Sequence, residues 1–221
     1  MKRLKGDFYK FYTITDLFHP PRLTPSDDKS RFSEIKKFMK LRLRWLFFYV
    51  MKKLTTKQLI ARKGNLSKLR LAPRKEVYLV LDNIRSAHNV GAIFRTADAA
   101  RVKKIYLCGI TAHPPRADIE KTALQTIEYQ PWEYNPSAKL TVKSLKQKGV
   151  QIVALEQTDQ SINYKEFKYQ KPLAIVVGNE VEGIDENVLA LCDAAIEIPM
   201  HGIANSLNIT TATGIVLLYL I

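Results

Sequence analysis

Three short polar stretches hold the side chains of this chain that are capable of chemistry. The first, Asn89-Val90-Gly91-Ala92-Ile93-Phe94-Arg95-Thr96, sets an amide and a guanidinium six residues apart near the start of a helical pattern. The second, Val177-Gly178-Asn179-Glu180-Val181-Glu182-Gly183-Ile184, places carboxylates between two glycines directly after an apolar run. That arrangement suits a tight loop whose backbone approaches a ligand closely. The third is Ile198-Pro199-Met200-His201-Gly202, followed by Ser206-Leu207-Asn208. Each stretch alone also has a plainer reading. Asn89 or Ser206 would serve as a helix N-cap, and Arg95 would be a solvated helix residue.

These stretches need strand ends and helix starts to hold them, and the flanking pattern supplies both. Glu76 to Asp82, Lys103 to Cys108, Val150 to Leu155, Leu173 to Val177 and Ala194 to Ile198 are apolar runs of strand length. Between them, Asn89 to Arg101 repeats apolar residues at helical spacing, with Val90, Ile93, Phe94 and Ala97 on one face. Ser137 to Gln147 reads as a helix closed by Gly149, Asp185 to Leu191 as a short helix, and Ser206 to Leu220 as an apolar closing helix. Strands alternating with helices predict an α/β fold, a mostly parallel sheet with helices on both faces. The first strand runs into Asp82-Asn83-Ile84-Arg85-Ser86, with neither GxGxxG nor GxxxxGK[ST]. This argues against a dinucleotide-binding Rossmann domain, a P-loop NTPase and a Rossmann-type methyltransferase.

The net charge of +14 is unevenly spread. Residues 1–50 hold twelve Lys/Arg and five Asp/Glu, residues 51–75 nine and none, and residues 76–221 fourteen and sixteen. The sums are +7, +9 and −2, so the basic character belongs to the N-terminal third. The expected organisation is a poorly structured or over-called extension over 1–50, with Met51-Lys52-Lys53-Leu54 as a plausible start; a basic RNA-binding arm over 51–75; and a catalytic domain over 76–221. Within the extension, Ser33 to Tyr49 has the spacing of one helix. In the arm, Leu54, Leu59, Ile60, Leu66, Leu69 and Leu71 would dock one helical face, turning Lys57, Arg62, Lys63 and Lys68 outward. No apolar run approaches the ~20 residues of a membrane-spanning helix, and no secretory signal is evident. Cys108 and Cys192 have no CxxC or Cys/His partner, which predicts reduced, buried thiols in a cytoplasmic protein and no metal site.

Taken together, in this order and spacing, the three stretches resemble the motifs of the SpoU/TrmH RNA 2′-O-ribose methyltransferases. The likeness runs from about Val77 to Leu218 and rests on Asn-x-Gly-x-x-x-Arg-Thr (Asn89 to Thr96), Gly-Asn-Glu-x-x-Gly (Gly178 to Gly183) and Ile-Pro-Met-x-Gly with Ser-Leu-Asn (Ile198 to Asn208). Ile209 to Thr213 departs from the family's Val-Ser-Val-Ala-like run, a difference that bears on helix packing and not on the site. The resemblance implies a C-terminal trefoil knot, S-adenosylmethionine as cofactor, a homodimer, and RNA as partner, with neither DNA nor membrane involved. By motif, Leu155, Glu156, Gly178, Asn179, Gly183, Ile198, Met200, Ser206 and Leu207 would bind the cofactor. Asn89, Arg95, Glu180, Ser206 and Asn208 would form the catalytic and substrate-positioning set. A guanidinium keeps its proton at neutral pH and is a poor base, so Arg95 better suits a bidentate clamp on the phosphate beside the target ribose. The base role stays open. The implied substrate is a D-loop guanosine of transfer RNA, with ribosomal RNA, or a non-catalytic RNA-binding module of the same fold, as alternatives.

Overall fold

The computed structural model describes Ser33, Lys36, Lys37, Lys40 and residues 52–221. Most of the extension, including the body of the helix expected over Ser33 to Tyr49, lies outside the described residues. The chain divides into two compact units, Met1–Gly64 and Asn65–Ile221. In the first, helix α1 (Thr56–Arg62) starts in a capping box: Thr55 accepts from the Gln58 N–H, and the Gln58 side chain accepts from the Thr55 N–H. Its Leu59 and Ile60 are exposed, as are Lys57, Arg62 and Lys63.

The second unit opens with α2 (Leu66–Leu71), N-capped by Asn65. This helix is tied to the sheet domain by the Arg101 guanidinium, which donates to the carbonyls of Leu69 and Ala72, and by Arg70 stacked 4.2 Å over the Tyr129 ring. Arg74, with only 14% of its side chain exposed, donates to the carbonyls of Val102 and Tyr129 and to Gln130 Oε1. The basic arm expected over 51–75 is therefore divided at Gly64, and its second half belongs to the domain.

The domain follows as β1 (Lys75–Asp82), α3 (Ala87–Ala99), β2 (Val102–Cys108), α4 (Ala117–Ala123), a 3-10 turn (Thr126–Glu128), β3 (Trp132–Asn135), α5 (Ala138–Gln147), β4 (Gln151–Leu155), β5 (Ile162–Asn163), β6 (Leu173–Val177), α6 (Glu186–Leu189), β7 (Ala194–Glu197) and α7 (Ile209–Tyr219). The seven strands form one sheet in the order β3-β2-β1-β6-β4-β7-β5, and every pairing is parallel. Alternate residues of each central strand serve opposite faces, as the two-residue strand period requires. Leu79, Leu81, Ile105, Leu107, Ile175 and Val177 pack in a core with residues of α3, α4 and α7. Val80, Cys108, Ile152, Ala154 and Val176 pack in a second core with α5 and α6. Burial on both faces is why these strands read as continuous apolar runs.

The α/β class, the parallel sheet and the helices on both faces agree with expectation, and several details do not. α4, β3 and the two-residue β5 were not foreseen. Asp185 to Leu191 shortens to Glu186–Leu189, capped by Asp185. Cys192 is half-buried where a buried thiol was expected; Cys108 is buried, and both are free. Burial pushes the two thiols up, to about 11 for Cys108 and about 12 for Cys192. Among the described residues, no helix is long and apolar enough to cross a membrane, and no His/Cys/Asp/Glu group could hold a metal ion.

Candidate active site

The three polar stretches meet at the carboxyl ends of the strands, the usual ligand crevice of an open parallel sheet. Helix α3 starts earlier than its pattern suggests, because Ser86 is the N-cap and accepts from the Asn89 N–H at 3.3 Å. Asn89 is therefore not a cap, and its side chain is free to act across the crevice. Its Nδ2 donates to Glu180 Oε1 at 2.9 Å, and its Oδ1 accepts from Asn208 Nδ2 at 3.4 Å. Helix α7 likewise starts later than expected. Its cap is Asn208, not Ser206, with Asn208 Oδ1 accepting from the Thr210 N–H at 2.8 Å and the Thr210 hydroxyl at 2.6 Å.

The capping bond sets the sense of the whole chain of amides. Asn208 must point its oxygen at the helix start, so its Nδ2 faces Asn89; Asn89 then turns its own oxygen to Asn208 and its Nδ2 to Glu180. Glu180 also accepts from the backbone N–H of Arg85 and Ser86, each at 3.2 Å. Partial burial pushes this carboxyl up, but the hydrogen bonds from Asn89, Arg85 and Ser86 outweigh it and hold Glu180 below its usual range. The carboxylate also faces the positive end of α3.

The Gly178–Gly183 loop closes on itself through mutual backbone bonds between Asn179 and Gly183, 2.8 and 3.0 Å. Asn179 shapes the loop: its Oδ1 accepts from Val181 N–H and Glu182 N–H, and its Nδ2 donates to the Asn83 carbonyl at 2.9 Å. A Cβ at Gly178 would stand 2.2 Å from Gly183 backbone. Gly183, at φ +73, would bring a Cβ to 2.5 Å from Glu156 Oε2, the oxygen that accepts from the Ile184 N–H. Backbone closes the space at Gly178, and at Gly183 the positive φ strains any side chain.

These loops enclose a cavity of about 460 Å³. Leu155, Glu156, Gly178, Asn179, Gly183, Ile198, Met200, Ser206 and Leu207 all line it, together with Glu180 and Asn208. Val181, within the Gly178–Gly183 loop, also lines it, and residues that the sequence reading missed complete the wall: Gln157, Val177, Ile196, Glu197, Ile209 and Ala212. Gln157 ties the third stretch down by donating to the Asn205 carbonyl at 2.8 Å, and Glu197 accepts from the Ser161 hydroxyl at 2.8 Å. Their positions at the ends of β4 and β7 were the available signal. The lining carries three carboxylates, Glu156, Glu180 and Glu197, and no Lys, Arg or His.

Arg95 is not brought to this cavity. It is exposed on the outer side of α3 and lines a separate, open depression with Thr96, Lys121, Thr122, Leu124 and Leu218. Among the described residues it makes no hydrogen bond or ion pair.

The chain is similar in sequence and in fold to known proteins. The chain is 38% identical over 149 residues to a tRNA (guanosine(18)-2′-O)-methyltransferase of Aquifex aeolicus, covering 65% of this chain and 68% of that one. The crystal structure of the A. aeolicus TrmH/SpoU tRNA modifying enzyme superposes with a TM-score of 0.63 at 34% identity, over 71% of this chain and 80% of that one. An AdoMet-bound rRNA methyltransferase from Sinorhizobium meliloti superposes with a TM-score of 0.62 at 32% identity, over 67% and 57%. A family model described as the SpoU rRNA Methylase family matches residues 76–218, and the chain belongs to that family.

Proposed function

We propose that this protein transfers the methyl group of S-adenosylmethionine to the 2′-hydroxyl of a guanosine in the D-loop of transfer RNA. The observation that carries this reading is the hydrogen-bonded sequence Glu180–Asn89–Asn208 at the cavity that holds every residue expected to bind the cofactor. The cavity suits a large cation with an apolar part. Leu155, Val177, Ile198 and Leu207 offer apolar wall, the glycine loop offers backbone groups, and the three carboxylates favour positive charge. When bound, S-adenosylmethionine supplies a methyl group already activated on a sulfonium. The protein's part is alignment, which can supply much of the acceleration. Asn89 and Asn208 hold Glu180 and the ribose in register, and Arg95 clamps the neighbouring phosphate while the 2′-oxygen loses its proton to that phosphate or to a water. The 2′-hydroxyl is the group that distinguishes RNA from DNA.

A homodimer belongs to the same reading. Leu124 and Leu218, exposed beside Arg95, and Tyr219 at the end of α7 form an apolar margin that a second copy would cover. So does the knot: β6 enters the sheet between β1 and β4, and β7 between β4 and β5, after the neighbours of each are in place. The basic segment 51–75 is proposed as the RNA grip, and the cytoplasm as the setting. Ribosomal RNA is the second reading, favoured by the likeness to the S. meliloti rRNA methyltransferase. Incubation with labelled S-adenosylmethionine and with transfer or ribosomal RNA, followed by mapping of 2′-O-methyl sites, separates the two. Methylation of neither RNA would reject the assignment.

A further inference from the structure

Outside the cavity, at the carboxyl ends of β1, β2 and β3, two exposed rings stack. His113 and Tyr134 have centroids 4.4 Å apart and planes 32° apart. The Tyr134 hydroxyl donates to the Gly109 carbonyl at 3.1 Å, which orients the ring without burying it; Tyr134 remains 40% exposed. Ile110, on the same loop, is 66% exposed. A pair placed only to fill the core would be covered; both of these rings are exposed.

The loop that carries His113, to which Tyr134 of β3 is bound through Gly109, is fastened to the turn that holds Glu180. The Ile110 N–H donates to Asn83 Oδ1 at 3.0 Å, the Ile84 N–H to the Thr111 hydroxyl at 2.9 Å, and the Ala112 N–H to the Ile84 carbonyl at 3.3 Å. Immediately after Ile84, Arg85 and Ser86 give their backbone N–H groups to Glu180. The rings are thus indexed to the amide relay by consecutive hydrogen bonds. The Arg85 side chain is exposed on that same turn, and among the described residues it has no hydrogen-bond or ion-pair partner. Exposed aromatic rings and an exposed guanidinium on hydrogen-bonded neighbouring segments are the groups that grip an unpaired nucleotide, base on ring and phosphate on cation.

We propose that His113 and Tyr134 form a stacking platform for an unpaired base of the RNA, next to the nucleotide whose ribose is methylated, with Arg85 on the intervening phosphate. The proposal rests on the reading that the substrate is RNA. It also gives a physical basis for selecting a loop over a duplex, since bases within a helix have no free face to stack on protein.

The test uses the full chain and the variants His113→Ala, Tyr134→Ala, their combination, and the ring-preserving His113→Phe. RNA affinity is read on a transfer RNA carrying 2-aminopurine beside the methylated nucleotide; calorimetry with S-adenosylhomocysteine and light scattering accompany it. The double alanine variant is expected to bind RNA roughly tenfold more weakly and to lose the fluorescence change. Its cofactor affinity and oligomeric state should match the wild type, and His113→Phe should bind RNA nearly as the wild type does. Unchanged RNA affinity and fluorescence in the double variant, beside a wild type that methylates RNA, overturns the platform alone. A fall in cofactor affinity would assign the rings to folding, and a change of oligomeric state would assign them to a subunit contact; either overturns it. A wild type that neither binds nor methylates RNA overturns both the platform and the reading beneath it.

Discussion

Glu180 receives bonds from the side chain of Asn89 and from two backbone N–H groups, so its carboxylate stays charged below the ordinary carboxylate range. The sign follows from the depressed folded-state value. The stabilisation it lends is present above the unfolded-state value and is lost as pH falls through the folded one. Asn89→Ala removes the side-chain donor and leaves the two backbone donors. The Glu180 titration, followed by NMR, should therefore move upward in this variant, and the acid limb of its thermal stability should move with it. An unmoved titration would mean that Asn89 does not hold this carboxylate. Arg95 stands apart, exposed and unpaired among the described residues. Arg95→Ala should abolish methyl transfer while S-adenosylmethionine binds as before, because the guanidinium lies outside the cavity and is proposed to meet the RNA. Turnover at the wild-type rate would remove Arg95 from the mechanism.

At the scale of elements, Gly91 shows that a motif residue can serve packing. A Cβ there would lie 2.0 Å from Thr122 Oγ1 and 2.4 Å from the Ile119 carbonyl, so α3 and α4 meet where only glycine fits. Alanine is the better helix former by about 1 kcal/mol, but overpacking typically costs about 1–3 kcal/mol. Gly91→Ala should lower the urea midpoint, and Thr122→Ala should restore only part of it, because the Ile119 carbonyl is backbone. Full restoration would show that the side chain alone set the close approach. The last helix carries a related cost. Among the described residues, the Thr213 hydroxyl is buried without a hydrogen-bond partner, within the run that departs from the family pattern. The N-terminal segment divides in the same manner. Deleting residues 1–64 removes seventeen Lys/Arg, among them Lys52, Lys53, Lys57, Arg62 and Lys63, and leaves the Arg101 and Arg74 anchors intact. Deleting 1–75 also removes Arg74 and the Lys75 N–H bond to Arg101, so its thermal midpoint should fall below that of the shorter deletion. Equal midpoints would mean that these anchors contribute nothing.

For the whole molecule, charge and apolar surface make separate predictions. Residues 1–64 sum to +12 and residues 65–221 to +2, so the long-range attraction for a polyanion belongs mostly to the first unit. RNA affinity of the 1–64 deletion should be weaker at low salt, with the log–log salt slope reduced by roughly 0.7–0.9 for each phosphate no longer neutralised. Equal affinity and slope would place the grip elsewhere. The exposed Leu124, Leu218 and Tyr219 predict a homodimer in light scattering at micromolar concentration, and a monomer there would reject it.

Much of this was determined by the sequence alone. The buried strands are apolar throughout because both faces of the sheet are covered, and that marks them in one dimension. Most of the residues lining the cavity fall at strand ends, which the same pattern locates. β3 was harder to read: Trp132–Asn135 lies at an edge, half-exposed, and its partner is distant β2. Two-residue β5 owes its pairing to β7 and has no period of its own. The relay was decided only by tertiary structure. Ser86 and Asn208 were both eligible caps among several polar neighbours, and which residue caps depends on where the returning chain lets each helix begin. That choice freed Asn89, turned the Asn208 amide, and brought Glu180 to N–H groups more than ninety residues away. It also left Arg95 outside the cavity, although its motif groups it with Asn89. Six residues along a helix is more than one and a half turns, which turns the two side chains to different sides.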